Sequence, residues 1–383
     1  MLNKLTSFLL GLALVCTLGL TPSTLAVSAS QKSASAKQVQ REFTVMTQNL
    51  YLGADLAPLF APPDPGDMNP FGTLIGKAAM AYAHMEQTDF PARAQAIAKL
   101  IAEKSPDVVG LQEVALWQTA PYDLLSPPNA PPQFTPTYDF LAILLDALAE
   151  RGHPYRAVAT NVNISQALPI SLTTLASFTD RDVIIVRADL PVSQLKVSNP
   201  TSQNFQASLP ITLAGMNVEV LRGWSTVDVK VRGKSYRFVN THLEAYTPII
   251  RNLQAFELAG TLAASPLPVV LVGDLNSTPD DVAGAYGIFA GHGFIDSWVE
   301  AMEAGSGFTS GQSEDLNNPI SLLSERIDYV LHSAGAFINA VPDGGDIVGE
   351  ELTDRVPSAL NQNQLLWPAD HAGLVFRLHI AKP

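Results

Sequence analysis

Residues 269–276 read Val-Val-Leu-Val-Gly-Asp-Leu-Asn, an unbroken apolar run that ends in polar residues. A run of this length after Pro268 predicts one strand that is buried on both faces, and therefore a sheet with cover on both sides. Asp274 and Asn276 then lie where that strand ends. Because Gly-Asp-Leu-Asn is also typical of an ordinary loop, the interpretation depends on how the other strands end.

Polar side chains lie at the edges of five further apolar segments. In chain order these residues are Asn49, Glu113, His242, Asp328 and the pair Asp370-His371. If the strand ends converge, one pocket receives one glutamate, three aspartates, two asparagines and two histidines. Each residue alone is typical of a turn or of a satisfied polar group. Six such segments are rarely a matter of chance, so together they predict an active site.

Strands dominate the rest of the chain, with helices between them. Helices are predicted over residues 91–104, 139–151 and 248–264, and a further helix is predicted to begin at Thr278. Many of the strands have an antiparallel pattern, so we expect an α+β (α/β layered) sandwich rather than a doubly wound parallel sheet. Long loops, which often shape a binding site, are expected over residues 53–89, 116–138, 164–180 and 333–368.

Composition excludes several classes of protein. The chain has 383 residues, 47% of them apolar and only 15% charged, which excludes a disordered or coiled-coil chain. A single cysteine excludes a disulfide framework and a multi-cysteine metal site. The formal net charge of -13 repels polyanions, so binding to nucleic acid would need local basic patches or bound cations.

The N-terminus has the pattern of an export signal. Lys4 precedes a short apolar run from Leu9 to Leu20, and small residues follow up to Ala26. We expect a signal peptide over residues 1–26, a flexible leader over 27–41 and one domain over 42–383. The mature chain would then be secreted or periplasmic and would have no stable membrane span. An uncleaved membrane anchor is the alternative, although the run is short for a span.

The motifs resemble those of a known superfamily. They are Thr47-Gln48-Asn49, Leu111-Gln112-Glu113-Val114, Thr241-His242-Leu243, Gly273-Asp274-Leu275-Asn276, Arg326-Ile327-Asp328-Tyr329 and Asp370-His371. This set, in this order, resembles the endonuclease/exonuclease/phosphatase superfamily of DNase I-like proteins. The resemblance implies a four-layer α-β-β-α sandwich, in which two mixed β-sheets are flanked by helices. It places the active site at the top of the sheets.

Chemistry and the resemblance together suggest a metal site. Glu113 offers the hard oxygen that Mg²⁺ needs, Asn49 can add an amide oxygen, and Asp370 is expected to orient the metal shell or a second metal. Mn²⁺ would also fit these ligands.

The remaining residues are expected to act on the phosphate. Asp274 is the candidate to orient and deprotonate the attacking water, with Asn276 holding phosphate or nucleophile. His242 is expected to donate to the phosphate. His371 with Asp328 resembles the family's His–Asp pair. The sequence leaves open whether His371 acts as a base or as a phosphate-binding acid.

Substrate identity is left open. We expect an exported, monomeric, metal-dependent phosphodiesterase or phosphatase, and the scarcity of basic residues in the loops slightly favours a lipid or small phosphoester. A secreted nuclease for DNA or RNA is the alternative, and a non-catalytic binding protein is a third possibility. Weaker site candidates are Arg251 and Gln254, the run Asp180-Arg181-Asp182, and Tyr246.

Overall fold

Two mixed β-sheets stacked face to face form the centre of the protein. The computed structural model describes residues 42–61, 64–213, 216–301, 305–334 and 338–380. They belong to a compact unit that begins at Glu42. The predicted signal peptide (1–26) and leader (27–41) lie outside the described residues, so they remain predictions. Within the described ranges, no helix combines the length and the apolar character needed to cross a membrane.

Eighteen strands are found in the described residues. They are β1 (Glu42–Asn49), β2 (Val108–Gln112), β3 (Leu116–Pro121), β4 (Thr135–Asp139), β5 (Tyr155–Pro169), β6 (Thr174–Arg187), β7 (Leu195–Asn204), β8 (Leu209–Leu213), β9 (Met216–Val220), β10 (Gly223–Val231), β11 (Lys234–His242), β12 (Val269–Asp274), β13 (Phe294–Asp296), β14 (Asp328–Ser333), β15 (Ile338–Val348), β16 (Val356–Pro357), β17 (Leu365–Leu366) and β18 (Gly373–Ile380).

Seven α-helices accompany them in the same ranges. They are α1 (Ala57–Phe60), α2 (Pro70–Gln87), α3 (Phe90–Lys104), α4 (Phe140–Glu150), α5 (Pro248–Ala263), α6 (Ala285–Gly291) and α7 (Ser297–Glu300). One 3₁₀ turn spans Leu352–Asp354.

The strands form two large sheets. The first, of eight strands, has the order β15-β18-β1-β2-β6-β3-β4, with β5 also paired to β6. The second, of six strands, has the order β13-β14-β12-β11-β10-β7. β1 and β2 are parallel, as are β11 and β12, whereas the neighbouring pairs β1–β18 and β12–β14 are antiparallel. Both sheets are therefore mixed, as the sequence predicts.

Strand β12 shows why residues 269–272 are all apolar. Val270 and Val272 pack between the two sheets, whereas Val269 and Leu271 pack outward in a cluster that contains Leu258 of α5. Each fully buried side chain of this kind stabilises the fold by about 1.5–3 kcal/mol. The strand is covered on both faces, and the predicted α-β-β-α layering is confirmed on this side of the sandwich.

Helices α3 and α4 cover the outer face of the first sheet. Asp89 caps α3 by accepting from the backbone N–H of Ala92, and Asp139 caps α4 by accepting from Leu141. Phe90 and Phe140, the first residues of the two helices, stack with ring centroids 3.5 Å apart. The helices predicted over residues 91–104 and 139–151 are confirmed.

Several predicted loops contain regular structure. Residues 53–89 hold α1 and α2, residues 164–180 belong largely to the hairpin of β5 and β6, and residues 333–368 hold β15. In α2 the buried residues begin only at Ala78, so its first turns carry no helical pattern of buried side chains. Only the central part of 116–138 is a loop, since β3 and β4 flank it.

Two further predictions are wrong. The edge strand β7 was not expected, because its sequence is polar and mostly exposed and its order comes from pairing with β10. Thr278–Asp281 forms a turn rather than a helix start, and α6 begins only at Ala285. The hydroxyl of Thr278 donates to Asp280 within the turn instead of capping a helix.

The sheets approach each other closely at Gly110. A β-carbon there would lie 2.6 Å from Oδ1 of Asn240 and would also collide with Val272. Asn240 bridges the sheets at this point: it donates to the carbonyl of Leu111 at 2.9 Å and accepts from Nε2 of Gln112 at 2.6 Å. A glycine in β2 is therefore a packing requirement.

We expect Gly110→Ala to destabilise the protein by about 1–3 kcal/mol, because the added methyl overpacks the space between the sheets. Urea unfolding measures this directly. Gly76→Ala is a matched control, since nothing lies within 4 Å of its position in α2; it should stabilise by about 0.5–1 kcal/mol. Equal effects of the two substitutions would contradict the close approach.

Candidate active site

Three predicted residues form a row across the second sheet. His242 is the register partner of Asp274 in the parallel pair β11–β12, and Asp274 is the partner of Asp328 in the antiparallel pair β12–β14. Pairing of the backbones therefore places three polar side chains side by side. All three are buried. Nε2 of His242 lies 3.5 Å from Oδ2 of Asp274.

Asn49 connects this row to the first sheet. Its Nδ2 donates to Oε1 of Glu113 at 3.2 Å and to Oδ2 of Asp274 at 3.3 Å. Its Oδ1 accepts from the backbone N–H of Tyr51 at 2.9 Å. In this arrangement Asn49 orients two carboxylates with its amide nitrogen, whereas the sequence suggested that its oxygen would bind a metal.

Glu113 follows β2 in the left-handed conformation, with φ at 54°. Its Oε2 accepts from the backbone N–H of Leu52 at 2.8 Å. Burial raises the pKa of Glu113 to about 7, and the negative charges of Asp370 and Asp180 act in the same direction. The charge of His371 acts in the opposite direction but does not outweigh them, so the carboxylate favours binding a further cation.

His371 and Asp328 form the predicted pair. Nδ1 of His371 lies 2.7 Å from Oδ2 of Asp328, which leaves Nε2 facing Ser310 at 3.3 Å and Asp274 at 3.9 Å. Burial opposes the imidazolium, but the charges of Asp328 and Asp370 outweigh it and raise the pKa of His371 well above its usual range. His371 is therefore a charged donor at neutral pH.

Asp274 is the residue most constrained by its neighbours. Besides Asn49, the backbone N–H of Asn276 donates to its Oδ1 at 2.8 Å. Burial and the charge of Asp328 raise the pKa of Asp274 to about 7. Asn276 has φ at 49°, and its Nδ2 donates to the carbonyl of Leu243 at 3.0 Å, which fixes the turn after β12.

His242 has the opposite character to His371. Nη1 of Arg222 lies 3.0 Å from Nδ1 of His242 and 3.3 Å from Oδ2 of Asp180. Burial and the charge of Arg222 lower the pKa of His242 well below its usual range. Arginine has no acceptor to offer, so Nδ1 of His242 accepts and Nε2 carries the proton. A neutral imidazole therefore presents an N–H toward Asp274.

The carboxylates supply oxygens suited to a divalent metal. Oδ1 of Asp370 and Oδ1 of Asp328 are buried and have no hydrogen-bond partner among the residues that the structure describes. Asp274, Asp328 and His371 also bring ligand atoms within 4.8 Å of one another. Since Asp328 and His371 already bond to each other, the unpaired Asp370 and the electrostatically strained Glu113 fit a hard cation better. An oxygen-rich donor set of this kind suits Mg²⁺ or Mn²⁺.

All eight predicted site residues are near one another in the structure. A cleft of about 280 Å³ is lined by Glu113, His242, Asp274, Asn276, Asp370 and His371. Asn49 and Asp328 lie behind this surface and are fully buried. They bond directly to lining residues. Tyr246 also lines the cleft.

Two of the weaker candidates support the site from behind. Arg251 donates to the carbonyls of Glu244 and Ala245 at 3.1 and 3.0 Å, and Oε1 of Gln254 accepts from the N–H of Glu244 at 2.9 Å. These bonds hold the segment after His242. Asp182 lies 3.9 Å from Nδ1 of His242.

Sequence analysis missed two arginines. Arg222 has no local signal, because a loop residue before β10 meets His242 only through sheet pairing. Arg93 is fully buried and donates to the carbonyls of Leu50, Tyr51, Thr88 and Pro368 at 2.7–3.2 Å. The sequence indicated a buried role for Arg93 only through its position on the apolar face of the helix predicted over residues 91–104. It ties the segment that follows Asn49 to the segment that precedes Asp370.

Comparison with known proteins agrees with this arrangement. The sequence model of the endonuclease/exonuclease/phosphatase family matches residues 46–371. No curated protein sequence gives a significant match.

Solved structures share the fold. A family protein from Bacteroides thetaiotaomicron has 17% identity and a TM-score of 0.54, covering 89% of this chain and 98% of its own. A mannosyl-6-phosphatase of Bacteroides thetaiotaomicron has 17% identity and a TM-score of 0.53, covering 88% and 99%.

The family match spans all eight predicted site residues, from Asn49 to His371. The layered fold and its two mixed sheets are those of the similar structures. The chain belongs to the endonuclease/exonuclease/phosphatase family.

Proposed function

We propose that this protein is an exported, divalent-metal-dependent phosphoester hydrolase that acts on a lipid or a small phosphoester. One observation carries the proposal: His371, paired with the buried Asp328, faces one cleft together with His242, Glu113 and Asp370. His371 is charged, His242 is neutral, and Oδ1 of Asp370 has no hydrogen-bond partner among the described residues. Members of the family hydrolyse phosphoesters. The substrate, export and a monomeric state are part of the proposal.

Asp274 is suited to take the proton of an attacking water. A carboxylate with a pKa of about 7 is half-ionised near neutral pH and accepts a proton more readily than an ordinary aspartate. Asn49 and the N–H of Asn276 hold the carboxylate in one orientation. Asp274 is therefore positioned as well as tuned for general-base chemistry.

Two imidazoles donate to the phosphate oxygens from different sides. His371 donates from Nε2 as a cation, and His242 donates from Nε2 as a neutral group. Charge develops on the equatorial oxygens in phosphoryl transfer, so fixed donors lower the barrier. We propose that His371 acts as phosphate-binding acid rather than as base, because Asp328 keeps it charged.

Glu113 and Asp370 would hold the metal. When bound there, a divalent cation neutralises phosphate charge and stabilises the leaving oxygen. Asn49 orients Glu113 through its amide nitrogen, and the N–H of Leu52 holds the other oxygen. The chain thus presets the carboxylate before a ligand arrives.

Charge favours a lipid or small ester over nucleic acid. Among the described residues that line the cleft, Arg222 is the one lysine or arginine, against six carboxylates. Nucleic-acid binding draws most of its affinity from basic contacts to phosphates. A secreted nuclease is the alternative, with bound cations bridging to the polyanion. A non-catalytic binding protein is less favoured, because each predicted position keeps a competent side chain.

The first test is hydrolysis by the purified chain from Val27 onward with Mg²⁺ or Mn²⁺. The panel is plasmid DNA, RNA, sphingomyelin vesicles, bis-p-nitrophenyl phosphate and p-nitrophenyl phosphate. We expect Glu113→Gln and His371→Ala each to lower kcat/KM by about 10²-fold or more, since each removes a group that acts on the transition state. EDTA should abolish turnover.

Glu103→Gln is the matched control for this experiment. Glu103 is exposed on α3, where its carboxylate pairs with Lys99 of the same helix, and it does not line the cleft. It should retain full activity. Metal-dependent turnover of DNA alone would favour the nuclease alternative. Folded protein that turns over no member of the panel with either metal would favour the binding-protein alternative.

The pH profile of Asp328→Asn decides the role of His371. Removing the carboxylate charge lowers the pKa of His371, so an enzyme that needs the imidazolium loses kcat/KM at a lower pH than wild type. We therefore expect the alkaline limb to move to lower pH. If His371 acts as base instead, the alkaline limb would stay in place. The acidic limb moves to lower pH in either case, because the charge of Asp328 also raises the pKa of Asp274. Asp146→Asn, on the exposed face of α4, serves as control.

Metal-free stability should depend on the charge of Glu113. Its folded pKa of about 7 lies above the ordinary value of 4.5, so its contribution is present at acidic pH and lost as pH rises through 7. In EDTA, the unfolding free energy of wild type relative to Glu113→Gln should fall by roughly 2 kcal/mol between pH 5 and 8. Urea unfolding of both proteins measures this; parallel pH curves would contradict it.

A further inference from the structure

A second cavity adjoins the catalytic cleft. Its volume is about 50 Å³. Four apolar side chains, Leu56, Phe60, Ile164 and Phe178, line both the cavity and the cleft. Asp180 follows Phe178 by two residues and lines the cleft beside Arg222. A molecule whose phosphate lies in the cleft therefore has this cavity as its neighbour.

The walls of the cavity are apolar. Among the described residues that line it, Gln166 is the only polar one. Trp117 also lines it, but the indole N–H of Trp117 already donates to the carbonyl of Leu52 at 3.0 Å. Water inside would find few hydrogen-bond partners, and a dry apolar cavity binds apolar groups.

The cavity is small. On this measure one ordered water needs roughly 10–15 Å³, so the cavity has room for a few water-sized groups. That space takes the first few carbon atoms of an alkyl chain or the edge of an aromatic ring.

Charge also limits what the neighbouring cleft accepts. Arg222 is the one lysine or arginine among the described lining residues of cleft and cavity, and it already contacts His242 and Asp180. A second phosphate would lack a free cation. One phosphate with an apolar substituent matches both surfaces.

We propose that this cavity is a specificity subsite, which binds an alkyl or aryl group esterified to the substrate's phosphate. The inference rests on the proposed function and narrows it to apolar phosphate esters. Phe178 and Ile164 are then specificity-determining residues rather than catalytic ones, because they contact the substituent and not the reacting atoms.

A chain-length series of inhibitors tests the subsite. Alkylphosphonates from methyl to hexyl are measured as competitive inhibitors of bis-p-nitrophenyl phosphate hydrolysis by the wild-type chain with Mg²⁺. Each methylene that enters the cavity should lower the inhibition constant by about three- to fourfold. We expect this gain over the first two or three added carbons and a smaller gain per carbon afterwards.

Filling the cavity should remove the gain. Ala78 and Ala176 line it from different elements, so Ala78→Leu and Ala176→Leu each occupy the space independently. Both should abolish the chain-length dependence while leaving inhibition by methylphosphonate unchanged. Ala149→Leu, exposed at the end of α4, is the control and should preserve the wild-type series.

Three results would overturn the inference. Equal inhibition constants along the wild-type series, with turnover intact, would remove the subsite but leave the proposed function. A chain-length dependence that persists in both folded leucine variants would place the alkyl group elsewhere. Absence of any metal-dependent phosphoester turnover by folded wild type would remove the proposed function and the subsite with it.

Discussion

The close approach of the two sheets beneath the site is the constraint on which the active-site geometry depends. Gly110 leaves room for Asn240, which bonds to Leu111 and Gln112 across the interface. Because the sheets are this close, the single amide of Asn49 can reach Glu113 on one side and Asp274 on the other. A wider gap would separate the carboxylates of the proposed metal site from the row His242, Asp274 and Asp328.

Different electrostatic surroundings then give similar side chains different protonation states. Asp328 and Asp370 keep His371 charged, whereas Arg222 and burial keep His242 neutral. Carboxylates that face one another without a cation have raised pKa values, as in Glu113 and Asp274. Two histidines and two acids thus acquire different roles from their surroundings. The repulsion that remains among the acids is relieved when a divalent cation binds, so metal binding and acid chemistry are coupled.

Much of the sandwich and of the candidate site could be predicted, because local sequence patterns indicate the strands, the helices and the polar residues at strand ends. Apolar runs such as 269–272 identify strands that are buried on both faces, and the helices predicted over 91–104 and 139–151 are found at Phe90–Lys104 and Phe140–Glu150. The polar side chains at strand edges identify the site residues, because strand ends converge wherever sheets stack. In contrast, β7 and the first turns of α2 lack such patterns. Their order depends on a partner strand and on packing.

The sequence by itself determined which residues are the candidates for the chemistry, since residue type and order along the chain are local properties. It also determined the class of fold, because the period of apolar residues sets strand and helix. Only the tertiary structure decided that Asn49 turns its amide nitrogen toward the acids and that Arg222 sets the tautomer of His242. It alone placed an apolar cavity beside the phosphate site. Those features arise between segments up to 225 residues apart, and the pairing that joins them is not encoded in any single stretch.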